Sequence, residues 1–154
     1  MSRMMAAALV GLLVFAQGAS AQTDPNVGTW VLNLAKSKYN GGSAPKSSTV
    51  VVESAGQGIK VTGTTVLADG ATRTVNYTVN YDGKDAPVTG TADYNTVSMT
   101  RTGNTTKGVR RRGGKRAQTF TIVVSPDGKT RTTTMAGTDA MGKKVDSVQV
   151  YDRK

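Results

Sequence analysis

Cysteine and histidine are both absent from the 154 residues. Without them there is no disulfide, no thiol nucleophile, no Ser-His-Asp relay and no ordinary zinc site, which removes several large classes of enzyme. Acidic groups are scarce as well. Glu53 is the only glutamate, and Asp69, Asp82 and Asp127 each precede a glycine, where a turn accounts for them. No acidic residues have calcium-loop spacing, and no carboxylate pair suggests general acid–base work. The chain therefore reads as non-enzymatic, with no cofactor and no metal.

Long apolar runs are missing with one exception. Residues 6–16 (AAALVGLLVFA) follow the basic Arg3 and precede Ala19-Ser20-Ala21. This is the layout of a secretory signal peptide cleaved after Ala21, and the run is short for a bilayer span. The expected mature chain is a single domain over 22–154, periplasmic or secreted and not membrane-spanning once processed. With no cysteine at the cleavage site it cannot be lipid-anchored there.

Acids are outnumbered: 20 Lys and Arg against 10 Asp and Glu give a formal charge of +10. Such a charge favours anionic partners. Export points away from nucleic acid and towards anionic lipid, lipopolysaccharide or polysaccharide surfaces, an acidic protein, or a small anion.

What the chain has in abundance is threonine, valine and glycine-containing turns. Turn signals at Ala55-Gly56-Gln57-Gly58, Asp69-Gly70, Asp82-Gly83, Thr102-Gly103-Asn104, Gly113-Gly114, Pro126-Asp127-Gly128 and Met141-Gly142 recur about every dozen residues, the rhythm of strands joined by hairpins. Several intervening stretches alternate. Arg73, Val75, Tyr77, Val79 and Tyr81 share one face, as do Gln118, Phe120, Ile122 and Val124; a period of two buries one face of a strand. Strands are expected around Trp30, Thr49, Val61, Val75, Val88, Val97, Lys107, Phe120, Thr133 and Val148. Residues 35–46, with Asn40-Gly41-Gly42-Ser43 and Pro45, are expected to be a loop. The fold class is all-β: an antiparallel up-and-down barrel of 8–10 strands, with a two-sheet β-sandwich as the alternative. A membrane-spanning barrel would need aromatic girdles, which two Phe and one Trp cannot supply.

Gly28-Thr29-Trp30-x-Leu32, followed by Lys36-Ser37-Lys38-Tyr39, resembles the opening strand of lipocalins and, more closely, of fatty-acid-binding proteins. The closing Val148-Gln149-Val150-Tyr151-Asp152-Arg153 is similar to the last strand of the latter family. The opening motif and Tyr81-Asp82-Gly83-Lys84-Asp85-x-Pro87-Val88-Thr89-Gly90 also resemble a group of small exported bacterial barrel proteins of this calycin type. The resemblance implies a lipocalin-like barrel that binds a small apolar or amphipathic ligand. It also implies that an Arg of an Arg-x-Tyr pair holds a carboxylate; here Gln149 stands at that position and Tyr151 is kept.

Candidate ligand-binding residues are Tyr77, Tyr81, Gln149 and Tyr151, three tyrosines and a glutamine on alternating faces that would put polar tips in an apolar pocket. Lys107, Arg110, Arg111, Arg112, Lys115 and Arg116 form the densest charge cluster. Placed on a hairpin, they suggest a second reading: an interaction module whose 107–116 segment meets an anionic surface or partner protein. Gly28 and Trp30 are assigned structural roles, with Arg153 or Arg131 expected to lie across the indole.

Overall fold

The computed structural model describes residues 23–154; the expected leader at 1–21 lies outside the described residues. Eleven strands follow one another: β1 (Gly28–Leu32), β2 (Lys38–Gly41), β3 (Ser47–Ala55), β4 (Gly58–Val66), β5 (Thr72–Asn80), β6 (Ala86–Thr89), β7 (Thr96–Thr102), β8 (Thr105–Arg112), β9 (Lys115–Val124), β10 (Thr130–Thr138) and β11 (Lys144–Arg153). From β3 onward each strand pairs antiparallel with the next, and β1 pairs with both β3 and β11. The sheet is therefore closed. Closure removes the exposed edges that a sandwich would keep, so the barrel expectation holds and the sandwich alternative does not.

β1 and β2 share one edge of β11. Leu32 faces Tyr151, and Tyr39 faces Ser147. They are two halves of a single broken stave, giving ten staves from eleven strands. The break is a 3-10 turn over Leu34–Lys36, capped by the Asn33 side chain accepting from Lys36 N at 3.2 Å. This corrects the expectation that 35–46 is wholly loop. Glycine and asparagine in Lys38–Gly41 are poor strand formers, but the backbone of β11 supplies a template they can pair with.

One end of the barrel is filled. Trp30 is fully buried, and Val52, Ile59, Val79, Val97, Met99 and Val124 pack into the same core. Its indole Nε1 donates to Asn26 O at 2.8 Å. Asn26, buried in turn, donates through Nδ2 to Thr106 Oγ1 at 3.0 Å and to Tyr81 Oη at 3.1 Å. Outside the ring lies Arg153, its guanidinium carbon 4.2 Å from the indole centroid. Arg153 donates to Val27 O at 2.7 Å, Gly128 O at 2.6 Å and Pro25 O at 3.1 Å. The last strand thus ties the lead-in segment and the β9–β10 turn across the closed end. Such a cation–π contact is worth about 0.5–2 kcal/mol.

Gly28 is required twice over. Its φ is +144°, and a Cβ there would collide with Arg153 Nη1. Gly28→Ala should therefore cost about 1–3 kcal/mol of unfolding free energy. Urea denaturation monitored by Trp30 fluorescence reads this directly, and Arg153→Met should destabilise in the same direction.

Candidate functional site

The other half of the barrel is hollow. A cavity of about 370 Å³ runs from the middle of the barrel to its far mouth. Depth can be read along β11, whose inward side chains from the plugged end are Tyr151, Gln149, Ser147 and Val145. Their neighbours across β10 and β2 set three successive levels: Tyr151 beside Arg131, Gln149 beside Thr133, and Ser147 between Met135 and Tyr39. Opposite, β4 and β5 contribute Val61, Val75 and Tyr77, while β9 adds Phe120 and Ile122. The β9 ring fits because Gly108, its neighbour on β8, has no Cβ to meet it.

Arg131 dominates the floor. It is 5 % exposed, and among the described residues it makes no ion pair. Its Nε has no hydrogen-bond partner, and its guanidinium carbon lies 5.8 Å from the centroid of the Tyr151 ring. Burial pulls its pKa down; the nearby Tyr77 and Tyr151 oppose that, and the Arg110 charge reinforces it. A guanidinium nevertheless stays protonated in proteins, so the cavity floor carries an uncompensated positive charge.

Arg110 adds a second cation. It donates to Gln118 Oε1 at 3.1 Å and contacts Met135 Sδ at 3.2 Å, with its guanidinium 4.5 Å from the Tyr94 ring and 5.0 Å from Phe120. At the mouth, the 90–95 connection is pinned by Asp93. Arg73 Nη1 donates to its carboxylate at 2.8 Å, Ala140 N donates to it at 3.0 Å, and Arg112 Nη1 donates to its carbonyl at 2.7 Å. Asp93, one of two aspartates in the cavity lining, is thus held at the rim.

The four predicted ligand residues separate. Tyr77, Gln149 and Tyr151 line the cavity. Tyr151 Oη donates to Gln149 Oε1 at 2.9 Å, and Gln149 Nε2 donates to Ser147 Oγ at 3.3 Å. Tyr81 lies at the plugged end instead, donating to Asp24 Oδ2 at 2.6 Å beneath Arg101. The basic cluster separates too. Arg110 turns into the cavity, Arg111 pairs with Asp85 and Ser98, and Arg112 holds Asp93. Lys107, Lys115 and Arg116 are exposed.

Sequence reasoning missed Arg131, Thr133 and Tyr39 as cavity residues. The available signal was the hairpin register across Pro126-Asp127-Gly128, which sets Arg131 opposite Val124 and Thr133 opposite Ile122. Among the described residues no three metal-ligating side chains converge. What the cavity can do chemically is hold a negative charge at its floor and apolar surface along one wall.

No protein-family model matches the sequence, and no curated protein matches it. Among solved structures the chain is similar to zebrafish ileal bile acid-binding protein complexed with cholic acid. Identity is 12%, the TM-score is 0.47, and the match covers 84% of this chain and 99% of that one. At that level the likeness carries no functional inference.

Burial raises the Tyr77 pKa above its ordinary 10.0, against the opposing pull of Arg110, and burial with the neighbouring Tyr151 raises that of Tyr39. Both phenols stay neutral in the fold where the unfolded chain ionises. Their contribution to stability is complete below about pH 10 and declines as the pH rises further. Tyr77→Phe should flatten that alkaline decline in urea midpoints, and should leave the native protein's phenolate absorbance near pH 10 unchanged.

Proposed function

We propose that this is an exported binding protein for a small amphipathic anion, held in the barrel cavity with its negative end on Arg131. One observation carries the reading: a buried guanidinium without a protein counter-ion at the floor of a cavity. An unpaired buried charge is costly for a fold to keep, and an anionic ligand recovers that cost by supplying the missing partner. The volume of about 370 Å³ lies within the roughly 300–1,000 Å³ usual for small-molecule sites. The apolar wall of Val61, Val75, Phe120 and Ile122 accounts for the apolar part of the ligand. Tyr151, oriented by Gln149, lies beside Arg131 and can take part in holding the head group. Binding rather than catalysis is the role these groups support, and the leader-like 1–21 segment supports a periplasmic or secreted location. The alternative, an interaction module acting through the 107–116 hairpin, retains Lys107, Lys115 and Arg116 as its exposed cations; Arg110 to Arg112 are engaged elsewhere.

Calorimetric titration with dodecanoate and with its methyl ester tests the proposal. The carboxylate should bind and the neutral ester only weakly. Arg131→Met should reduce dodecanoate affinity by at least about thirtyfold, while raising the unfolding free energy by about 1–4 kcal/mol. A variant that binds dodecanoate as tightly as the wild type would show that Arg131 is not the anion site.

A further inference from the structure

The cavity has a second property that a charged floor and an apolar wall do not explain. Its β10–β11–β2 side carries polar side chains at all three levels, with Met135 and Val145 as its apolar members. Three side chains on that side have a buried polar atom with no protein partner: Arg131 Nε, Thr133 Oγ1 and Tyr39 Oη. They occur one per level, beside Tyr151, Gln149 and Ser147 respectively. Thr133 and Arg131 are more than nine-tenths buried. The other hydroxyl pair near the mouth, Ser48 with Thr65, is internally satisfied at 2.9 Å. On the opposite wall Val61, Val75 and the Tyr77 ring give apolar surface, the polar Thr65 and Arg73 are partnered by Ser48 and Asp93, and no cavity-lining side chain of β4 or β5 has an unpartnered buried polar atom.

We infer that the cavity selects an elongated anion carrying hydroxyl or carbonyl oxygens along one edge, not a plain acyl chain. This rests on the binding role proposed above and narrows its ligand class. Successive inward positions on a strand are two residues apart, about 6.8 Å along the chain. The ligand therefore presents its anionic end to Arg131, a first oxygen to Thr133 about one such step on, and a second to Tyr39 about one step further. Its other edge lies against Val61, Val75 and Tyr77. A saturated tail in the same place would leave two buried hydroxyls without partners, the costly half of the hydrogen-bond balance.

Calorimetry with dodecanoate, 6-hydroxydodecanoate and 12-hydroxydodecanoate tests this on the intact protein. With the carboxylate on Arg131, the two hydroxyls fall near the levels of Thr133 and Tyr39. Each hydroxylated probe should bind the wild type about tenfold more tightly than dodecanoate. Thr133→Val should erase the preference for the 6-hydroxy probe and Tyr39→Phe that for the 12-hydroxy probe, the hydroxylated probe losing affinity while dodecanoate, no longer burying an unpartnered hydroxyl, gains it. Dodecanoate binding as well as both hydroxylated probes to the wild type would overturn the inference while leaving the anion site intact. Preferences that persist in both variants would overturn it as well. If none of the three probes binds, the carrier role and the edge recognition fall together.

Discussion

Everything in this barrel depends on where Trp30 sits and what holds it there. A ring of ten staves encloses more space than its plug of side chains fills. The indole, locked between Asn26 below and Arg153 outside, seals one end. Gly28 makes that contact possible, since any Cβ would displace Arg153. Because the large apolar side chains are gathered around this plug, the remaining length of the barrel has too few of them to fill it. The cavity follows from that uneven distribution rather than from any feature of the strands themselves.

The hollow half keeps charged and polar groups that cost the fold stability. Arg131 is buried beside Tyr151 with no carboxylate, and Arg110 is stacked between Tyr94 and Phe120. Two like charges inside one cavity repel each other, and desolvation penalises both. Asp93, which could have relieved them, instead ties Arg73, Arg112 and the β10–β11 turn across the mouth. The polar groups of the interior are therefore oriented by neighbours at their edges while their central donors stay unpaired. Such preorganisation favours a ligand that brings the complementary charge and acceptors.

The barrel was legible because turns and alternation are local signals. Arg73 to Tyr81 and Gln118 to Val124 displayed their inward faces openly, and all ten expected strand positions fall within strands. The cavity was much less legible, for identifiable reasons. β10 reads Thr-Arg-Thr-Thr-Thr before Met135, so no alternation marks its inner face. The run Arg110-Arg111-Arg112 looked like one surface patch, but Arg110 continues the inward alternation of Thr106 and Gly108 on β8, opposite Gln118. Tyr81 shows the converse limit: alternation assigned its face, but only the three-dimensional position of Trp30 decides on which side of the plug it falls. The short strand β2 was hidden because its pairing partner, not its composition, makes it a strand.

Native mass spectrometry of the protein purified from its source, compared with the Arg131→Met variant prepared in the same way, tests the central claim most directly. The wild type should carry a single small oxygen-bearing anion that collisional activation releases, and the variant should lose it. A wild type that carries no small molecule, or a neutral adduct retained equally by the variant, would contradict the account.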